Sequence, residues 1–287
     1  MVGETQALNQ KEQVRLCRVR TGLGTVRLMH AHYVTQVFAP HFHEGYCLGV
    51  IEGGALAFRY MGEQVVAPKG AVNLAIPGEV HTGQSADEAG WTYRMLYLET
   101  DLLISTASQM TGKPAPLPFI RAGVLFDDDL ATMIHRLHCQ LADPGIPLLE
   151  KESRLLSVLT ILLHRHGRTR PKRLSAIRQS GIVEIARSFL HDHFDRDVSI
   201  RELAEAVGLS PFHFIRVFGK QTGLTPHAFL TQIRVKKAQD LLTAGESPGQ
   251  AALGAGFFDQ SHLTRHFKRI TGITPGRFRN SVQDSRV

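Results

Sequence analysis

Ala252-Leu253-Gly254-Ala255-Gly256-Phe257-Phe258-Asp259-Gln260-Ser261-His262-Leu263-Thr264-Arg265-His266-Phe267, closing on Thr271-Gly272-Ile273-Thr274-Pro275, decides how this 287-residue chain is read. Much of it has already appeared once. Ala204 and Gly208 recur at Ala252 and Gly256; His213, Arg216, Phe218, Thr222, Gly223, Thr225 and Pro226 recur one residue further on. The extra residue falls in a turn, where an insertion does least harm. A repeat at this period calls for a structural cause. In each copy a short helix ends at a glycine, which tolerates the left-handed position past a helix end. A polar cap then opens the next helix: Ser210 before Pro211 in the first copy, Asp259 in the second. Behind the caps, Phe214, Val217 and Phe218 form an apolar stripe that must be buried, and Leu263, Phe267 and Ile270 form its counterpart. The opposite faces carry Phe212, Ile215, Arg216 and Lys220, then Gln260, Ser261, Thr264, Arg265 and Lys268. Such side chains read base edges or grip phosphates. One copy alone would read as a solvated amphipathic helix; two in register predict paired helix-turn-helix units.

The pattern resembles the DNA-binding domain of the AraC/XylS family of bacterial transcription regulators. The residues that carry the resemblance are Gly256-Phe257, Asp259-Gln260-Ser261, Arg265-His266-Phe267-Lys268 and Gly272-Ile273-Thr274-Pro275. Phe258 departs from the family pattern, which favours a small polar residue there.

The rest of this half falls into order around the two copies. Ile182, Ile185, Ala186, Phe189 and Leu190 mark a first helix, Ile200 to Val207 a supporting helix, and Pro211 to Thr222 the first recognition helix. Thr225-Pro226 opens a long helix reaching about Thr243, whose roughly 17 residues span about 26 Å. Ser247-Pro248 opens the second supporting helix, Gln260 to Thr271 is the second recognition helix, and Thr274-Pro275 starts the last helix. Two recognition helices on one rod can enter successive major grooves about 34 Å apart. Arg216 and Arg265 suit guanine, Gln260 suits adenine, and Phe212 and Ile215 offer apolar contact to thymine methyls. Lys220, Lys268 and Arg269 lie toward the helix ends and suit phosphate.

Charge follows the same division. Of 33 Lys and Arg, 19 fall after residue 167, where only 10 of the 26 Asp and Glu lie, so the formal net charge of +7 belongs to the C-terminal part. A basic half attached to a near-neutral half implies one module for a polyanion and another for something else. Hydrophobic residues at 43% and charged residues at 21% fit a soluble globular protein of two domains. No apolar run approaches the roughly 18 residues of a membrane span, and the N-terminus lacks the features of a signal peptide. Cys17, Cys47 and Cys139 are widely spaced with no C-x-x-C, which predicts reduced thiols and a cytoplasmic protein.

Residues 15–100 read as short strands punctuated by glycine: 17–28, 31–38, 46–51, 55–60, 64–67, 71–76 and 91–98. That rhythm favours a small β-barrel or double-sheet jelly roll. Within it, His41-Phe42-His43 and Ile76-Pro77-Gly78-Glu79-Val80-His81 resemble the two motifs of the cupin barrel as used in the sensing domain of AraC-type regulators. Metal-binding cupins use two His and a Glu from the first motif and one His from the second. His41, His43 and His81 match; the Glu does not, since Cys47 or Leu48 stands in its place and Glu44 points to the other face. The histidines therefore read as pocket residues, with no metal, cofactor or catalysis expected. Candidate effector contacts are His41, His43, Tyr46, Glu79, His81, Trp91, Tyr93 and Arg94, a mixture of polar tips and aromatic faces suited to a ligand site. Strand alternation nevertheless places Trp91, Tyr93 and Tyr97 on one face and Arg94 on the other.

Between the halves, Asp127-Asp128-Asp129 opens one helix lined by Leu130, Met133, Ile134, Leu137 and Leu141. A second uses Leu148, Leu149, Leu155, Leu156, Leu159, Leu162 and Leu163. These leucines could pack on the barrel or pair with another subunit; the resemblance favours a homodimer. The expected organisation is thus a multidomain α+β chain. It comprises a cupin-like effector barrel (1–125), a helical dimerisation hairpin (126–166), a basic linker (167–178) and an all-α domain of two helix-turn-helix units (179–287). The resemblance implies a sequence-specific transcription regulator, an activator, whose partners are double-stranded promoter DNA, a small-molecule effector and RNA polymerase. The rival reading is a metal-dependent cupin enzyme fused to a DNA-binding domain; a third is an effector-independent regulator with the barrel as scaffold.

Overall fold

The structure is a computed structural model, described for residues 12–121, 123–168 and 177–283. Most of the linker expected at 167–178 thus lies outside the described residues. Nine antiparallel strands form the N-terminal half: β1 (Gln13–Thr21), β2 (Gly24–Tyr33), β3 (Phe38–His41), β4 (Tyr46–Tyr60), β5 (Glu63–Pro68), β6 (Val72–Ala75), β7 (His81–Ser85), β8 (Trp91–Leu98) and β9 (Val124–Leu125). One path runs β1-β2-β8-β4-β6-β9, while β7 pairs with both β3 and β4, and β5 pairs with β4.

Two details differ from the sequence reading. The stretch 17–28 is not one strand but a hairpin, closing where Thr21 faces Gly24. Conversely, Gly53-Gly54 does not end a strand. β4 continues through it, pairing with β6 and β8 before the glycines and with β5 and β7 after them. Gly54 has φ +62°, and a Cβ there would stand 1.9 Å from the Gly90 carbonyl oxygen, so only glycine allows the bend that shares β4 between the two layers.

Helix α1 (Thr100–Thr111) was not foreseen; it buries Leu102, Leu103 and Thr106 and stops at Gly112 in the left-handed conformation. The leucine-rich hairpin is α2 (Asp128–Ala142) and α3 (Leu148–His166). Asp127 caps α2 by accepting the Leu130 N–H, and also accepts from Arg165 and His166 at the end of α3. Leu130, Ile134, Leu137, Leu141, Leu155, Leu159, Leu162 and Leu163 join the core of the sheet domain, whereas Leu148 and Leu149 remain exposed. The hairpin's apolar stripe is therefore consumed within the chain.

The C-terminal half contains α4 (Ile177–Asp192), α5 (Ile200–Ala206), α6 (Pro211–Thr222), α7 (Pro226–Ala244), α8 (Pro248–Gly254), α9 (Gln260–Thr271) and α10 (Pro275–Gln283). The sequence repeat is visible in its caps. Ser199 with Glu202, and Ser247 with Gln250, form matching capping boxes. Ser210 and Asp259 each accept a hydrogen bond from the third helical residue, and Gly223 and Gly272 end α6 and α9 at positive φ. Each unit has its own core, and α7 belongs to both: Phe229, Leu230 and Ile233 enter the first, Val235, Ala238 and Leu242 the second. A 19-residue helix of roughly 28 Å thus sets the spacing of the units.

Candidate DNA-binding face and effector pocket

The apolar stripes go inward as their spacing dictates. Phe214, Phe218, Leu263 and Phe267 are wholly buried, Val217 is buried, and Ile270 is half-buried. Helical geometry then turns the intervening residues outward. On α6, Ile215, Arg216 and Lys220 are exposed; on α9, Gln260, Ser261, Arg265, Lys268 and Arg269 are exposed. Thr264 is half-buried and donates its hydroxyl to the Gln260 carbonyl. The Phe212 side chain lies outside the described residues. Among the described residues no carboxylate pairs with Arg216, Lys220, Arg265, Lys268 or Arg269, although seven other basic residues do form ion pairs. Cations left unpaired beside fixed hydrogen-bonding groups are suited to a polyanion read in detail. Phe258, in the turn before α9, is 86% exposed, consistent with its departure from the polar residue usual there.

A second feature lies where the halves meet. Phe42 stacks on Phe229 of α7 at 5.0 Å, and Val80 lies against Gly223. On the other unit, Gly272 sits so close to Tyr33 that a Cβ would be 2.5 Å from the phenol oxygen, and Arg277 of α10 donates to the Val14 carbonyl. Between these contacts is a cavity of about 550 Å³ that opens into the interior of the sheet domain. Its floor holds His41, His43, His81, Tyr93 and Tyr97; its opposite wall is α7, through Gln232, Lys236 and Asp240 at successive turns.

Most of the expected pocket residues meet there. Trp91 and Tyr46 also line the cavity, with Trp91 packed on Tyr33 at 5.3 Å and the Tyr46 hydroxyl donating to the Pro118 carbonyl. The Tyr93 hydroxyl meets the sulfur of Met29 at 3.4 Å. Burial holds the imidazoles neutral. His41 is pushed down to about 3, chiefly by desolvation and then by His81; His43 and His81 are lowered by the same leading cause. Burial likewise raises the Tyr97 phenol and the Cys47 thiol, so neither is ionised near neutrality.

Two expected residues do not belong to this cavity. Arg94 points to the other face of β8, where its Nε donates to Glu52 at 2.6 Å; strand alternation requires it once Tyr93 faces in. Glu79 lines a different cleft, toward Arg59 and Lys220, because it precedes β7 on the outer side of the turn. Conversely, the sequence reading missed Arg27, whose guanidinium lies 5.4 Å from the Tyr97 ring centre inside the cavity. Its alternation with Met29 was a usable signal. It also missed the α7 wall; only the nearly full burial of Thr231 and Gln232 on a helix otherwise read as a spacer marks it.

Comparison with known proteins agrees with this architecture. Residues 23–159 match the model of the AraC-like ligand binding domain, and residues 203–281 that of a helix-turn-helix domain. An uncharacterized HTH-type transcriptional regulator of Bacillus subtilis, YbfI, is 31% identical over 230 residues, 80% of this chain and 82% of that protein. The arabinose operon regulatory protein of Salmonella typhimurium is 28% identical over 247 residues, 82% of this chain and 84% of its own. Among solved structures, fatty-acid-bound ToxT from Vibrio cholerae shares the fold at TM-score 0.58 and 13% identity, over 96% of this chain and 97% of that one. A matched sensing domain, a matched helix-turn-helix domain and full-length relatives place this chain in the AraC family of transcriptional regulators.

Proposed function

We propose that the chain is a sequence-specific regulator whose DNA-binding units are controlled by a small molecule held in the interdomain cavity. One observation carries the reading: Gln232, Lys236 and Asp240 of α7 line that cavity, while Phe229 and Val235 of the same helix sit in the cores of the two units. A ligand touching α7 therefore touches the rod that sets the separation of both recognition helices. An effector acts here only by favouring one domain arrangement over another; equal affinity for both would shift nothing.

In this reading Arg216 and Arg265 contact guanine and Gln260 adenine, with Ser261 and Thr264 beside them and Phe212 and Ile215 against thymine methyls. Lys220, Lys268 and Arg269 hold phosphates. His41, His43, Tyr46, His81 and Tyr93 face the effector, with Arg27 at its edge and Trp91 backing it. The regulator works in the cytoplasm as a homodimer and activates by engaging RNA polymerase, as its resemblance implies. Apart from the exposed Leu148 and Leu149 of α3, the hairpin offers little apolar surface for pairing.

The experiment begins with binding-site sequencing on genomic DNA, which yields the operator and, from neighbouring genes, a panel of compounds. A compound that changes operator affinity should have its own affinity changed by operator DNA by the same factor. If no compound binds while the operator is still recognised, the cavity is a scaffold and the effector reading fails.

A further inference from the structure

We infer that His41, His43 and His81 form a site for one divalent transition-metal ion of the zinc class, and that its occupancy is transmitted to the DNA-binding domain through Phe42 and Val80. One ring nitrogen from each histidine lies within 4.8 Å of the other two. His41 and His81 are directly opposed across β3 and β7, which sets their side chains on one face of the sheet.

Tautomers favour the same conclusion. Nδ1 of His41 is 2.7 Å from the Ala39 carbonyl, and Nδ1 of His81 is 3.0 Å from the Glu79 carbonyl. A carbonyl can only accept, so both Nδ1 atoms carry the proton and both Nε2 atoms keep a lone pair. That is the backbone-oriented arrangement by which proteins fix a ligating imidazole. The missing cupin carboxylate changes the preference without abolishing the site. Three neutral imidazoles suit zinc, nickel, copper or iron and offer nothing to magnesium or calcium, and they leave a further coordination position open to the cavity. Zinc–nitrogen bonds of about 2.0–2.1 Å place tetrahedral ligands roughly 3.4 Å apart, so binding draws the widest pair together.

Alternation along the chain supplies the transmission. Residues 41, 43 and 81 face the cavity, so residues 42 and 80 between and beside them face outward. Phe42 and Val80 are those outward residues, and both pack against the core of the first helix-turn-helix unit. The Pro40 carbonyl also accepts from Gln232 of α7 at 3.5 Å. Drawing the two histidine-bearing segments together therefore moves the platform on which α7 rests.

The test uses full-length protein stripped with a chelator, then given zinc, cobalt or magnesium alone. We expect one zinc per chain by mass spectrometry, a visible cobalt spectrum typical of nitrogen ligation, and no response to magnesium. His43→Gln and His81→Gln should each weaken zinc by at least about tenfold. Zinc should slow amide exchange across 40–43 and 226–233; Phe42→Ala should keep the zinc and lose the α7 response. Substoichiometric zinc with no cobalt spectrum in the wild type, or binding indifferent to both histidine substitutions, overturns the site. Bound zinc with unchanged exchange in α7 overturns the transmission. The site does not depend on the regulatory reading above and only the transmission rests on it; neither readout requires DNA or an organic effector, so their failures are distinguishable.

Discussion

The two halves of the molecule treat ionisable side chains in opposite ways. In the sheet domain they are taken inside and neutralised: three imidazoles, Tyr93, Tyr97 and Cys47 surround a closed space, and burial suppresses every charge among them. In the helical domain the cations of α6 and α9 are left outside, charged and without carboxylate partners among the described residues. Hidden neutral groups discriminate small ligands by hydrogen bonding and coordination, because unmet polar contacts are costly there. Exposed unpaired cations attract an extended anion at little cost in folding. The contrast teaches that one half is built to enclose and the other to be enclosed against a surface.

The largest expected effect tests how separately the halves are built. Phe267 is wholly buried in a core made small by Ala251, Ala252 and Ala255. Phe267→Ala should cost about 3–5 kcal/mol. Calorimetry should show the loss in a helical-domain transition with the sheet domain's unchanged; a uniform shift of a single transition would mean that the halves unfold as one body.

A second difference appears in acid. His138 of α2 lies buried against the Met29 carbonyl at 3.1 Å, and burial, then Arg94, lowers it to about 4. Below about 6.5 the unfolded chain gains a proton that the folded chain refuses. The stabilisation is therefore complete above about 6.5 and is lost as pH falls toward about 4, by at most about 1.4 kcal/mol per pH unit. Urea midpoints of wild type and His138→Gln should diverge across that window in the sheet domain's transition, with wild type the more pH-dependent. Parallel curves would remove His138 as the cause.

The smallest effect concerns the outer cations. Lys268→Ala should weaken binding to operator and random DNA alike and lower the slope of log affinity against log salt by about 0.9. A loss confined to operator would make Lys268 a base reader.

How much of this was legible depended on whether a signal was local. The recognition helices were, because capping and stripe spacing are written within a dozen residues and then repeated; Ser210, Asp259, Gly223 and Gly272 stand where the pattern requires. The side on which Arg94 lies was legible too, from alternation with Tyr93, although composition had drawn it into the pocket. What could not be read was long-range. That Gly54 lets β4 bend rather than end depends on Gly90 packing beside it, and that α7 closes the cavity depends on the contact of Phe42 with Phe229. Helix α1 was missed because its Ser and Thr residues dilute the apolar period that Leu102 and Leu103 supply.

The most direct test of the central claim is equilibrium binding of full-length protein to its operator and to scrambled DNA, for wild type, Arg216→Ala, Arg265→Ala and the double variant. Each single substitution should cost about 1–3 kcal/mol on the operator, relax preference at a different base position, and leave scrambled DNA nearly unaffected. Equal losses on both DNAs, or no loss from either substitution, would contradict a pair of base-reading helices carried on one rod.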